Sequence, residues 1–270
     1  MIFAYCPNLH ISGLPDTLKI ISNGTFRGDT SLNFGQIPND ILNIGDYAFA
    51  ECTGLGEVIF APTFDATEII TMHNDPKIGI GNYWPRIGGH AFENCSNLTF
   101  CRYYSSNSGL IYGETNLAGV RVIGDYAFSG CSELTLTLTA MRDDVNYTNR
   151  TILYIGAKAF MDCRKLGLQQ LPINIEYIGL RAFRNCGDLY YLTGIPSTLR
   201  TIGSEAFHND TLAGNNSYNL IWAFPAEVNS DPVNGKTTSV VNVVDGLALS
   251  GAKINTLTFQ FEKGQFADEQ

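Results

Sequence analysis

One phrase of twelve residues recurs along this chain and restricts it to one kind of architecture. It reads Ile-Gly-x-x-Ala-Phe-x-x-Cys-x-x-Leu, with full copies at residues 44–55 (IGDYAFAECTGL), 87–98 (IGGHAFENCSNL), 123–134 (IGDYAFSGCSEL), 155–166 (IGAKAFMDCRKL) and 178–189 (IGLRAFRNCGDL). Two weaker copies flank them. Residues 21–32 (ISNGTFRGDTSL) carry Asp29 in the Cys place, and residues 202–212 (IGSEAFHNDTL) lack the Cys and are one residue short. A unit this small cannot bury its own apolar side chains. Repeated at a fixed period, it closes a core only by stacking on its neighbours, which makes a solenoid.

The period is read on the phrase's Phe. It stands at Phe3, Phe26, Phe49, Phe92, Phe128, Phe160, Phe183 and Phe207, with spacings of 23, 23, 43, 36, 32, 23 and 24. A 23-residue unit with insertions of 20, 13 and 9 residues accounts for them. The chain starts inside a repeat, because residues 3–9 match the second half of the phrase. Residues 248–254 (ALSGAKI) resemble 127–134, with Val244 in the Ile place. The expectation is nine turns, the first incomplete and the last degenerate, as a capping repeat is. Residues 1–212 then form the solenoid, and 213–270 hold an insertion plus the degenerate cap. A separate small β domain is the alternative for 213–243.

These copies resemble the BspA-type leucine-rich repeat, a bacterial and protist class of the leucine-rich repeat superfamily. The match covers residues 1–212 well and 213–270 poorly. The resemblance implies an open, curved, right-handed solenoid with a parallel β-sheet on one face. It also implies display on cell surfaces, with roles in adhesion and host contact.

Each place in the phrase has a physical reading. Phe, Leu and Ile fill the interior. The Ala before each Phe marks a tight corner, and the Gly after each Ile marks backbone that is either crowded or at positive φ. The segment after each Leu is the expected strand, as in residues 55–60 and 189–195. Pro15, Pro38, Pro172 and Pro196 each lie six residues before the next Ile, a fixed turn. Strand alternation leaves the register open. The next apolar residue comes two after Leu32 (Phe34) but three after Leu55 (Val58), and a one-residue slip exchanges the faces. In the second register Glu57, Ile59, Phe100, Arg102, Tyr191 and Thr193 point outward.

Six of the seven cysteines (Cys6, Cys52, Cys95, Cys131, Cys163 and Cys186) share one place in the phrase. One per turn, with no C-x-x-C pair, reads as a buried column of free thiols acting as small hydrophobes. Disulfides between turns and metal binding are the alternatives. Cys101 stands apart, on the segment after Leu98, and is expected to face the core.

Little chemistry is visible beyond this. There is no H-E-x-x-H, G-x-S-x-G or P-loop, and no cofactor motif, so no enzyme activity is expected. A net charge of −9 with only 17 scattered Lys and Arg argues against nucleic acid. No apolar run reaches membrane-spanning length, and the N-terminus lacks a signal-peptide pattern. His90 and His208 flank the repeat Phe and read as variable exposed residues.

The insertions are the expected binding edge. Residues 63–84, 103–119 and 140–151 replace the same short connection in consecutive turns, and such insertions map to one face. The interaction residues expected there, or next to them, are His73, Tyr83, Trp84, Arg102, Tyr103, Tyr104 and Tyr112, since aromatics bring contact area at low entropic cost. Loops folded back over the sheet edge are the competing arrangement. Two functions stay open: a non-enzymatic module that binds a protein or glycan, and a structural subunit docking end-on, through its open solenoid end, in a surface or virion assembly.

Overall fold

The computed structural model describes residues 2–38, 41–60, 86–99, 117, 120–136, 138, 152–167, 171–172, 174–187, 194–196 and 198–208, and strand backbone at 218–224, 228–230, 237–239, 243–244 and 254–261. Each turn of the phrase opens with a two-residue strand that ends on its Ile. The strands Ile20–Ile21, Asn43–Ile44, Arg86–Ile87, Val122–Ile123, Tyr154–Ile155, Tyr177–Ile178, Thr201–Ile202 and Val243–Val244 form one parallel eight-stranded sheet in that order. Register is uniform: Ile21 pairs with Ile44, and so on to Ile178 with Ile202 and Ile202 with Val244. The chain is a repeat solenoid.

This corrects one expectation. The longest sheet runs through the Ile place and not through the segment after Leu. The segments after Leu do pair, but in pieces: Gln36–Ile37 with Ile59–Phe60, and Thr135 N–H with the Thr99 carbonyl at 3.1 Å. The Ile-to-Leu phrase has a constant length, so its hydrogen bonds continue from turn to turn. The segments after Leu lead into connections of unequal length. They also mix both registers, with Phe34 and Val58 each buried and Glu57 exposed.

The Gly after each Ile answers to crowding, not to φ. A Cβ on Gly124 would lie 2.5 Å from the Gly89 nitrogen, and one on Gly203 2.4 Å from the Leu180 nitrogen. This close approach lets the Gly124 N–H donate to the Ile87 carbonyl at 2.8 Å. Ser22 is exposed at the sheet's edge strand, where no described turn crowds it. The proline turns also close as expected. The carbonyls of Pro15, Pro38, Pro172 and Pro196 accept the N–H of Leu18, Ile41, Ile175 and Leu199 at 2.9–3.2 Å.

The core is a set of columns. The Phe rings from Phe3 to Phe207 stack in one ladder, with centroids 5.1–5.7 Å apart and planes within 16°. Beside them Cys52, Cys95, Cys131, Cys163 and Cys186 are fully buried and unbridged. Each thiol donates to the carbonyl of the preceding turn's Phe at 2.9–3.1 Å. Burial pushes the Cys52 thiol up to about 12, and Cys163 and Cys186 well above the ordinary value. The sixth, Cys6, departs from the expected column: it is exposed, on the first turn. Cys101 lies outside the described residues.

Toward the C-terminus the pattern changes to longer strands. Tyr218–Phe224 pairs in parallel with Ile254–Phe261 on one side and with Gly194–Ile195 on the other. Val228–Ser230 and Thr237–Ser239 pair antiparallel. Gly194–Ile195 follows the last full copy of the phrase, so the C-terminal strands continue a sheet that starts in the solenoid.

Candidate functional site

The corner between Ile and Phe sets the direction of an outward column. The residue two before each Phe is Tyr47, His90, Tyr126, Lys158, Arg181 or Glu205, and all six have φ between 54° and 58°. Side chains other than glycine rarely adopt this left-handed conformation. Here the stacking imposes it, because from Tyr47 to Arg181 each such N–H is aimed at the next turn. Tyr47 donates to the Gly89 carbonyl, His90 to Asp125 and Tyr126 to Ala157, at 2.8–2.9 Å. The side chains therefore leave the corner in one direction at every turn.

They stack as a result. Tyr47 and His90 lie 4.3 Å apart at 6°, and His90 and Tyr126 lie 4.6 Å apart at 9°. A cation closes each end. The Arg27 guanidinium sits 4.9 Å over Tyr47, and Lys158 Nζ sits 4.7 Å over Tyr126 while donating to its hydroxyl at 2.5 Å. Glu93 meets His90 Nδ1 at 2.9 Å and Glu51 holds Arg27 at 2.8 Å. Further along, Arg181 and Arg184 grip Glu205 at 2.8 and 2.6 Å. The Arg181 hydrogen bond holds that carboxyl below its ordinary range.

A shallow depression of about 370 Å³ lies beside this column, bordered by Asp46, Arg86, Gly89, His90, Asp125 and Tyr154. Its carboxylates are already engaged: Asp46 Oδ1 accepts the Gly89 backbone N–H and an Arg86 guanidinium N–H, both at 2.8 Å, and Asp125 Oδ1 accepts the Ala157 N–H at 2.7 Å. Tyr154 stacks on Tyr177 at 4.4 Å, and burial, with Tyr177 and Asp125 adding, pushes its hydroxyl up to about 12. That hydroxyl stays a hydrogen-bond donor at neutral pH. The surface offers rings, hydroxyls and paired charges. Among the described residues no three or more His, Cys, Asp or Glu gather to hold a metal.

The seven residues expected from sequence (His73, Tyr83, Trp84, Arg102, Tyr103, Tyr104 and Tyr112) lie outside the described residues. What the structure adds is where their segments rejoin the fold. After residues 63–84 the chain re-enters the sheet at Arg86, after 103–119 at Val122, and after 140–151 at Tyr154. These are neighbouring sheet positions that all line the depression. His90 is not a freely variable exposed residue but a half-buried ring held between two tyrosines. The signal was present in the sequence, since the place two before each Phe reads Tyr, His, Tyr, Lys and Arg in consecutive turns.

Comparison with known proteins gives two solved structures of low similarity and one family model. The solved leucine rich cell surface protein from Faecalibacterium prausnitzii A2-165 is 16% identical, with a TM-score of 0.37 over 94% of this chain and 61% of that one. This chain thus spans less than two thirds of that protein. A leucine-rich repeat protein from Bacteroides ovatus ATCC 8483 is 19% identical, with a TM-score of 0.28 over 96% of this chain and 79% of that one. No curated protein matches. The family model described as "BspA type Leucine rich repeat region" matches in six copies, over residues 1–110 and 76–213. The chain belongs to the BspA-type leucine-rich repeat family.

Proposed function

We propose that this chain is a non-enzymatic binding module that engages a partner along the Tyr47–His90–Tyr126 column and the adjoining depression. One observation carries the reading: a half-buried ladder of aromatic rings at the surface, capped by cations, runs beside the re-entry points of all three insertions. Both faces of each ring are covered, by a neighbouring ring or by a cation. A sugar gains most by stacking on a free ring face, which this column lacks. Ring edges, hydroxyls and paired charges suit a protein surface better, so a protein partner is preferred to a glycan. The insertion residues His73, Tyr83, Trp84, Arg102, Tyr103, Tyr104 and Tyr112 extend the same surface in this proposal. Display at a cell surface, with a role in adhesion, follows the family's usual use.

The test is a displayed library of folded protein domains and a glycan array, each probed with the native chain and with a Tyr47→Ala/Tyr126→Ala variant. The expected result is domain ligands that bind the native chain and lose at least tenfold in affinity for the variant. Ligands that bind both alike place the site elsewhere, and ligands drawn only from the glycan array overturn the protein reading.

A second reading, end-on docking in an assembly, is favoured by one feature. The first turn presents Ile2, Phe3 and Tyr5, and the edge strand presents Ile20, all as exposed large apolar side chains. Light scattering across a concentration series tests it: reversible association supports docking, and a monomer throughout opposes it.

A further inference from the structure

The Cys place of the phrase is a slot with two hydrogen-bonding duties. In five turns the S–H donates to the Phe carbonyl of the preceding turn. The sulfur also lies against the N–H of the same place one turn earlier: Asp29 for Cys52, Cys131 for Cys163, and Cys163 for Cys186. A thiol does both, donating and weakly accepting.

One turn fills this slot with a carboxyl. Asp29 is fully buried among the stacked turns. Its Oδ1 accepts the Cys6 N–H at 2.6 Å, which meets the accepting duty. Its Oδ2 is buried without a hydrogen-bond partner. By analogy with the other five turns, the carbonyl to which this place would donate is that of Phe3, the preceding Phe of the ladder. An ionised carboxylate has nothing to donate and would set a charge against that carbonyl; a protonated carboxyl donates as the thiols do. We propose that Asp29 is held as a neutral carboxylic acid standing in for the repeat's thiol, and that its ionisation releases the first turn of the solenoid.

The surroundings fit this. The titratable groups that interact with it are Cys6 on the turn before and Cys52 on the turn after; the charged residues of the adjoining segments are Arg27 and Glu51. Arg27 and Glu51 are engaged with each other at 2.8 Å, and the Cys52 thiol, pushed up to about 12, is neutral. Burial raises the Asp29 carboxyl above its ordinary value, against the smaller opposing effect of the Cys6 N–H. A raised folded pKa gives a contribution that is full below the ordinary carboxylate range and is lost as pH rises through the folded value. The first turn is therefore fastened in acid and loosened as pH rises. Beyond Asp29 it is held by Phe3 N–H on the Thr25 carbonyl at 2.9 Å, Tyr5 N–H on Arg27 at 2.7 Å, and the stack of Phe3 on Phe26. Its release uncovers Phe26, now 4% exposed.

The test follows amide exchange at Phe3, Tyr5 and Cys6 against pH in the native chain, Asp29→Asn and Asp29→Cys. Asn supplies both a donor and an acceptor, and Cys restores the repeat's own residue. Corrected for the intrinsic rate, protection in the native chain should fall about tenfold per pH unit above the folded pKa. In both variants it should stay flat. A native profile without that fall, or the same fall in all three chains, overturns the proposal. A second measurement needs no variant: the carboxyl carbon of Asp29 should titrate above the ordinary carboxylate range. Titration at the ordinary value with the first turn still protected overturns it.

Discussion

Two columns of rings rise through the same corner of this solenoid, two residues apart in every turn, and they differ in almost everything but geometry. The inner one is Phe from Phe3 to Phe207, buried from Phe26 onward, at 5.1–5.7 Å. The outer one changes from Tyr to His to Tyr to Lys to Arg to Glu, at 4.3–4.6 Å where its rings meet. Backbone hydrogen bonds between turns align both. The inner place is bounded on every side, so volume dictates its residue. The outer place is bounded only by its backbone, so its side chain is free to serve a partner. On the proposed reading, fold and recognition are separated by two residues.

If the interior columns act as a block, the largest effect comes from alkali. Cys52, Cys163 and Cys186 have raised folded pKa values, so their stabilising contribution is complete below the ordinary thiol range and falls as pH rises above it. Three such thiols remove roughly 4 kcal/mol per pH unit there. Urea midpoints measured against pH should drop steeply in that window; midpoints that hold two units beyond it would show the thiols accessible when folded. Next, Phe128→Ala should cost about 3–5 kcal/mol in chemical denaturation. A loss below about 1 kcal/mol would mean the ladder collapses around the gap. Gly124→Ala follows at about 1–3 kcal/mol, since its Cβ meets backbone that cannot withdraw. A neutral result there would show the turns have room to separate.

On the outer side the effects shrink. Tyr126→Ala removes a ring stack and a cation contact, and should cost no more than about 1.5 kcal/mol. The Lys165–Glu133 pair is exposed on both sides. Lys165→Ala should cost under about 0.5 kcal/mol, and a larger loss would mark that pair as part of the interior's support.

The sequence carried the inner column fully. Ile, Phe, Cys and Leu recur at fixed spacing because each is enclosed, and Val244 was placed opposite Ile202 from pattern alone. It carried the main sheet's position poorly. The segment after Leu has the β-branched and aromatic character of strand, whereas the sheet runs through two-residue strands that bring only one Ile each to the core. Backbone continuity, not side-chain propensity, decides that sheet. The outer column was overlooked for a related reason. Tyr47, His90 and Tyr126 are all aromatic, but the place then changes to Lys158, Arg181 and Glu205, and the left-handed backbone that aligns all six leaves no signature in residues other than glycine.

The separation of fold from recognition is tested most directly by comparing Tyr126→Ala with Phe128→Ala, two residues apart, for affinity toward a domain ligand selected on the native chain. Binding is measured under conditions where both variants are folded by circular dichroism. The account predicts at least a tenfold loss for Tyr126→Ala and less than threefold for Phe128→Ala. Equal losses, or a larger loss for Phe128→Ala, would contradict it.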